Sequence, residues 1–213
     1  MKISERRRER IKTAVAKRQL DLTVVLENLT DGHNIGAILR SCESVGVTSV
    51  YLIPHPDSEM RRNFVLGKRT TAGARKWLNV YQSTDIKSCI DHLRNYHDRI
   101  YCTGIGKGSA SLYELDLTES TAIVMGNEKV GVSEEAIKWS DGLLSIPMQG
   151  MVQSLNVSVA AAVILYEAMR QRLDAGCYAT QLHPADAKKQ ELFKEYLKRH
   201  GDNYIGRKPE RLE

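Results

Sequence analysis

The chain contains no long apolar run and few cysteines. No segment approaches the roughly 18 consecutive apolar residues of a membrane-spanning helix, and the first residues, MKISERRRERIK, lack the apolar centre of a signal peptide. The 4 cysteines among 213 residues show no C-x-x-C spacing, which argues against both a zinc site and a disulfide framework. We therefore expect a cytoplasmic protein that keeps its cysteines reduced and requires no metal.

A glycine-rich turn of the kind that binds dinucleotides or phosphates is also missing. The nearest candidate is TGIGKG at residues 103–108, whose spacing fits neither G-x-G-x-x-G nor the P-loop. This argues against a Rossmann-type cofactor site. The segment nevertheless follows a predicted strand, and because α/β sheets bind ligands at the carboxyl ends of their strands, we expect it to lie near a ligand.

The positive charge of the chain is concentrated at its N-terminus. Residues 1–20 contain eight Lys or Arg and two Glu, a net charge of +6, whereas the whole chain carries +5. Lys and Arg that contact phosphates release condensed counterions, so a basic arm on a near-neutral body suits a polyanionic partner. A solvated helix face is the alternative explanation of this charge run.

Strand-like and helix-like segments alternate after residue 20, which predicts one parallel α/β sheet flanked by helices. The predicted strands are residues 23–26, 49–53, 77–81, 100–103, 122–125 and 143–146. The predicted helices are residues 4–19, 33–45, 58–66, 84–95, 133–138, 155–173 and 185–198. The last dozen residues are expected to be disordered.

The most informative segment is IPMQGMVQSLNVSVAAAVILYEAMR, residues 146–170, in which a buried strand leads through a short loop into an apolar helix. The free N–H groups at a helix start favour a capping side chain or an oxygen-rich ligand. Ser154 is the expected N-cap residue, with Asn156 in the first turn.

This segment resembles the third motif of the SPOUT RNA methyltransferases, and the two other motifs of that family are also recognisable. They are NIGAILR at residues 34–40 and GNE at residues 126–128, after the strand AIVM. The resemblance covers about residues 21–175. Within the family it is greatest to the TrmH branch, which methylates the ribose 2′-hydroxyl of guanosine 18 in tRNA.

The resemblance implies an α/β fold whose C-terminal half is tied in a deep trefoil knot. It implies a homodimer formed through the knot region and the long C-terminal helix. The expected organisation is a basic RNA-binding helical arm at residues 1–20, a methyltransferase domain at residues 21–176, and an extension at residues 177–213 with a short amphipathic helix and a flexible tail.

The resemblance also implies S-adenosylmethionine as cofactor and assigns roles to individual residues. The catalytic set would be Arg40, Asn34, Glu128, Ser154 and Asn156. The cofactor would be bound by Thr103, Gly104, Gly126, Asn127, Ile146, Met148, Ser154 and Leu155. The tRNA would contact Arg6, Arg7, Arg8, Arg10, Lys12, Arg18, His33, Arg170 and Arg172.

Arg40 is the residue for which a chemical role is predicted most specifically. A guanidinium stays protonated at any ordinary pH, which argues against a simple general base. We expect Arg40 to clamp the phosphate beside the target ribose and to stabilise the developing alkoxide, while that phosphate or a water accepts the proton. Asn34 and Glu128 are expected to orient each other and the arginine.

Two further segments, residues 61–64 and 68–77, interleave basic and aromatic residues that can hold phosphates and stack on bases. The sequence departs from the TrmH pattern at DGHN, residues 31–34, and at AGARKW, residues 72–77. These departures leave open whether the target is another tRNA position or ribosomal RNA. A non-catalytic RNA-binding protein is the alternative from another class, and failure to bind S-adenosylmethionine would favour it.

Overall fold

The computed structural model describes residues 3–56, 58, 71–106, 108–201 and 208–212. The helix predicted for residues 58–66 lies outside the described residues except for residue 58. The basic and aromatic segment at residues 61–64 lies outside them entirely, as does the first part of the segment at residues 68–77.

The described residues form one parallel sheet of eight strands. The strands are β1 (Gln19–Glu27), β2 (Val47–Ile53), β3 (Asn79–Gln82), β4 (Arg99–Thr103), β5 (Ala110–Ser111), β6 (Thr121–Met125), β7 (Gly142–Ser145) and β8 (Glu210–Arg211). Their order across the sheet is β5-β7-β4-β6-β1-β2-β3-β8, and the pairs are parallel. The predicted parallel α/β architecture is therefore confirmed.

Helices cover both faces of the sheet, which is why its central strands are apolar on both sides. The helices are α1 (Glu5–Ala16), α2 (Gly32–Ser44), α3 (Ile86–Leu93), α4 (Glu134–Trp139), α5 (Val157–Asp174) and α6 (Ala187–Gly201). Leu22, Val24 and Leu26 of β1 pack on the face covered by α2 and α5. Val25, between them, packs on the face covered by α3 and α4, as the two-residue period of a strand requires. Within the described ranges, none of the helices combines the length and apolar character that crossing a membrane requires.

The two ends of the described chain are tied into the fold. Ile11 and Val15 of α1 are buried in a small cluster with Phe193 and Tyr196 of α6, where the basic helix finds an apolar partner surface. Glu210–Arg211 pairs in parallel with β3, so the prediction of a disordered last dozen residues is wrong for this short strand. Backbone pairing with a sheet edge does not depend on side-chain pattern, which is why composition did not indicate it.

Arg172, near the end of α5, is fully buried and joins three segments. Its guanidinium donates to the carbonyl oxygens of Leu117 and Glu119 at 2.8 and 2.7 Å, and to the side chains of Gln19 and Asp21 at 3.0 and 2.7 Å. The prediction that Arg172 contacts RNA is wrong, because each donor group of its side chain already has a partner inside the protein.

Arg18 is a second buried arginine among the predicted RNA contacts. Its side chain donates to the carbonyl oxygens of Glu43 and Val47 and to the Glu43 carboxylate, and it is 3% exposed. It serves to join α1 to the end of α2, so the prediction of an RNA contact is wrong for Arg18 as well. A count of basic residues cannot distinguish an arginine that anchors the backbone from one that faces solvent.

Replacing Arg172 with methionine is expected to lower the free energy of unfolding by roughly 2–4 kcal/mol, because two backbone carbonyl oxygens lose their donors. The matched control is Arg170→Met, whose ion pairs with Glu167 and Asp174 lie at the surface, so a much smaller loss is expected. Urea unfolding of both variants measures the difference. Equal losses would show that Arg172 does not anchor the fold.

Candidate active site

A cleft of about 250 Å³ opens at the carboxyl edge of the sheet, where the loops after β4, β6 and β7 meet the start of α5. These three strands are neighbours in the sheet, so their carboxyl ends converge, as expected for a ligand site in a parallel α/β fold. All of the predicted cofactor residues line this cleft: Thr103, Gly104, Gly126, Asn127, Ile146, Met148, Ser154 and Leu155. Glu128 is the one charged side chain among the described residues that line it.

The loop after β6 has a tightly closed backbone. Asn127 and Gly131 exchange two backbone hydrogen bonds of 3.0 and 2.8 Å, and Gly131 has φ +73°. A Cβ placed on Gly126 would lie 2.1 Å from the carbonyl carbon of Gly131. Only glycine therefore fits at Gly126, and the loop presents backbone and the Glu128 side chain to the cleft. Sequence reasoning did not single out Gly131, although the spacing of the two glycines is the signal that would have indicated a closed loop.

Asn34 links the three predicted motifs by hydrogen bonds. Its amide nitrogen donates to Glu128 Oε1 at 2.5 Å, and its amide oxygen accepts from the amide of Asn156 at 3.2 Å. These residues are separated by 94 and 122 positions in the sequence. The predicted mutual orientation of Asn34 and Glu128 is thus found in the structure, and Asn156 is part of the same chain of hydrogen bonds.

The N-cap of α5 is Asn156 rather than Ser154. Asn156 Oδ1 accepts from the backbone N–H of Ser158 at 2.8 Å and from its hydroxyl at 2.6 Å, and the helix begins at Val157. The prediction of Ser154 as the N-cap is therefore wrong. Asparagine and serine are equally good caps, so composition could not decide between them. Ser154 lies instead in the loop that precedes the helix and lines the cleft.

Arg40 lies apart from this cleft in the single chain. It is six residues after Asn34, which places it about 1.7 turns further along α2 and on another side of the helix. It lines a second, larger groove of about 910 Å³ between α1, α2, α5 and the 3₁₀ turn Ala74–Trp77. Its side chain is exposed and forms no hydrogen bond or ion pair with the described residues.

The groove around Arg40 is basic and partly aromatic. Arg7 and Arg10 of α1 and Lys76 and Trp77 of the 3₁₀ turn lie along it. The guanidinium of Arg7 lies 5.7 Å from the centre of the Trp77 ring, which orients it by a cation–π contact. The remaining predicted RNA contacts that are at the surface are Arg6, Arg8, Lys12, His33 and Arg170.

Burial raises the pKa of the Cys42 thiol, two residues after Arg40, far above its usual range, which disfavours the nucleophilic thiolate. Among the described residues, no group of three or more His, Cys, Asp or Glu is placed to hold a metal ion.

Residues 21–166 match the model of the SpoU rRNA Methylase family. The chain belongs to this family. A curated relative, the tRNA (guanosine(18)-2′-O)-methyltransferase of Thermus thermophilus, is 44% identical over 175 residues, which make up 82% of this chain and 88% of the relative.

Solved structures show the same fold. The Aquifex aeolicus TrmH/SpoU tRNA modifying enzyme superimposes with a TM-score of 0.82 at 34% identity, covering 93% of this chain and 98% of that one. The SpoU methyltransferase AviRb from Streptomyces viridochromogenes, in complex with the cofactor AdoMet, gives a TM-score of 0.60 at 27% identity and covers 73% of this chain and 59% of that one.

Asn156 caps the N-terminus of α5 and also donates a hydrogen bond to Asn34, and two substitutions separate these roles. Asn156→Ala is expected to cost about 1 kcal/mol of stability, as loss of an N-cap usually does, whereas Asn156→Ser should restore the cap but is too short to reach Asn34. Asp85→Ala, at the N-cap of α3, is the matched control for cap loss. Urea unfolding that finds the serine variant as unstable as the alanine variant would contradict the assignment of the cap.

Proposed function

We propose that the protein transfers a methyl group from S-adenosylmethionine to a ribose 2′-hydroxyl of tRNA, at guanosine 18. The observation that carries this proposal is the hydrogen-bonded chain from Glu128 through Asn34 to Asn156, which lies beside the cleft and joins all three sequence motifs. The activity named for the Thermus thermophilus relative, over 88% of that protein's length, supports the choice of tRNA and of position 18.

The composition of the cleft suits S-adenosylmethionine. Apolar side chains such as Ile146, Leu155 and Met148 provide surfaces for an adenine ring. Gly104 and Gly126, which have no side chains, contribute backbone groups to the wall. Glu128 offers a negative charge to a cationic ligand. When bound, the cofactor would supply the electrophilic methyl group.

The protein's own residues then have to position and activate the ribose hydroxyl. We assign to Arg40 the binding of the phosphate next to the target ribose and the stabilisation of negative charge that develops on the 2′-oxygen. Since a guanidinium keeps its proton, the hydroxyl proton passes to that phosphate or to a water. Asn34 holds the Glu128 carboxylate in place, and Ser154 and Asn156 fix the loop at the edge of the cleft.

We also propose that two copies of the chain form a homodimer through α5 and the loop before it, with the C-terminal half of each chain tied in a trefoil knot. Large apolar side chains are exposed there: Val159, Tyr166 and Leu173 of α5 are about half exposed, and Met151 is fully exposed. In addition, Arg40 and the cleft lie in different pockets of one chain, so a second copy would bring Arg40 to the cofactor.

The RNA would be held by the basic groove and by the outer face of α1. The surface residues that would contact the RNA in this proposal are Arg6, Arg7, Arg8, Arg10, Lys12, His33 and Arg170. Each phosphate contact adds affinity that falls as salt rises. Ribosomal RNA is the second candidate substrate, because the family model that the chain matches is described by that activity.

The direct test is methyl transfer from labelled S-adenosylmethionine to tRNA that lacks the position-18 methyl group, followed by mapping of the modified nucleoside. We expect 2′-O-methylguanosine at position 18, and Arg40→Lys should lose at least about tenfold in kcat because lysine cannot make the two-pronged contact. Methylation of ribosomal RNA alone would refute the assignment of tRNA as the substrate. Near-normal turnover of Arg40→Lys would refute the proposed phosphate clamp. Failure to bind the cofactor would favour the non-catalytic alternative.

Mixed dimers test whether the site is shared between two copies. Arg40→Ala and Gly126→Val, the latter blocking the loop of the cleft, are each expected to be inactive alone. A heterodimer of the two has one site with an intact cleft and a partner that retains Arg40, so activity should return to about half per dimer, since one of its two sites is complete. An inactive heterodimer would show that each chain uses its own Arg40.

A further inference from the structure

Glu27, the last residue of β1, is a buried carboxylate with no role in the mechanism described so far. It is 3% exposed, and both of its oxygens are occupied: Oε2 accepts from the backbone N–H of Ser133 at 2.9 Å, and Oε1 accepts from the Ser133 hydroxyl at 2.6 Å. Glu27 is not among the residues that line the cleft. Any effect it has on the reaction must therefore act through Ser133.

Ser133 lies at the end of the loop that carries Glu128. Its hydroxyl accepts from the backbone N–H of Ala136 and so caps α4 while donating to Glu27. One serine thus fixes both the start of α4 and the distance between that helix and the end of β1.

The same strand end also holds the beginning of the loop. The carbonyl oxygen of Asn28, a residue in the left-handed conformation with φ 58°, accepts from the side-chain amide of Asn127 at 3.1 Å. Residues 126–133 are therefore attached to the end of β1 on both sides of Glu128.

We infer that Glu27 is a positioning residue of the methyltransferase, which holds the loop 126–133 so that Glu128 meets Asn34 and the cleft keeps its shape. This inference rests on the proposed function. The Glu128 side chain accepts a hydrogen bond from Asn34, and the backbone on either side of it is fixed by the contacts of Asn28 and Glu27.

A carboxylate is required at this position because two donors of one residue converge on it. A glutamine at position 27 has one acceptor atom for the two Ser133 donors. If its oxygen stays on the hydroxyl, its NH₂ group faces the Ser133 N–H. If its oxygen turns to the N–H, the Ser133 hydroxyl loses the acceptor for its proton in a buried site. The expected consequence is a shift of the loop rather than a loss of the sheet, since the backbone pairing of β1 does not use this side chain.

The experiment compares Glu27→Gln, Ser133→Ala, Ser133→Thr and the Glu27→Gln/Ser133→Ala double variant with the parent protein. The dissociation constant for S-adenosylmethionine is measured calorimetrically without RNA, together with kcat, the KM for tRNA and the thermal midpoint. Trypsin cleavage after Lys129, an exposed residue of the loop, reports loop order without any ligand. Asp85→Ala, which removes the N-cap side chain of α3, is the control for a lost cap contact far from this loop.

Glu27→Gln and Ser133→Ala are each expected to weaken S-adenosylmethionine binding by at least about tenfold, to leave the KM for tRNA within about twofold, and to accelerate cleavage after Lys129. The double variant should be no worse than Ser133→Ala, because the contact between the hydroxyl and Glu27 is already lost in that single variant. Ser133→Thr, which retains the hydroxyl, should remain close to the parent. Asp85→Ala should lower the thermal midpoint without changing cofactor affinity.

Two results would overturn the inference. One is a Glu27→Gln variant whose cofactor affinity and loop cleavage stay within about twofold of the parent. The other is an equal loss of cofactor affinity in Asp85→Ala at the same drop in thermal midpoint. A parent protein that neither binds S-adenosylmethionine nor methylates tRNA would refute the proposed function and this inference with it. A functional parent with unaffected variants would refute the inference alone.

Discussion

The amide group of Asn34 is the point on which the arrangement of the site depends. It donates to Glu128 and accepts from Asn156, so one side chain holds together the start of α2, the loop after β6 and the start of α5. Hydrogen bonds between segments so far apart in sequence form only when the sheet is complete, because each segment follows a different strand. The parallel sheet thus brings the strand ends to one edge, and Asn34 fixes them there.

The two grooves of the chain differ in chemistry. Among the described residues, the cleft at the sheet edge is mostly apolar with a single carboxylate, whereas the groove around Arg40 contains several cations, three aromatic rings and the Glu43 carboxylate. The first composition suits a cofactor that carries positive charge and an adenine, and the second suits a phosphate backbone. In the proposed mechanism both surfaces act on the same ribose, so their separation within one chain favours the proposed dimer.

Much of the fold could be predicted from the sequence, because the alternation of apolar strands and helices is a local signal. The residues that line the cleft were also accessible through the family resemblance, since the motifs at Asn34, Gly126 and Ser154 are compact strings. The burial of polar residues could not be predicted from the sequence. Arg172 and Arg18 lie in basic or amphipathic segments, and only the folded chain shows that they bind backbone carbonyl groups. Glu27 was missed for the same reason, because its partner Ser133 is 106 residues away.

The central claim, methyl transfer to one ribose hydroxyl of tRNA, is tested most directly by a transcript in which the guanosine at position 18 is replaced by 2′-deoxyguanosine. The base and the phosphates stay unchanged, so binding to the basic groove should be preserved. We expect the protein to bind this transcript with unchanged affinity and to transfer no methyl group to it, while the unmodified transcript accepts one. Equal methylation of the two transcripts would contradict the account.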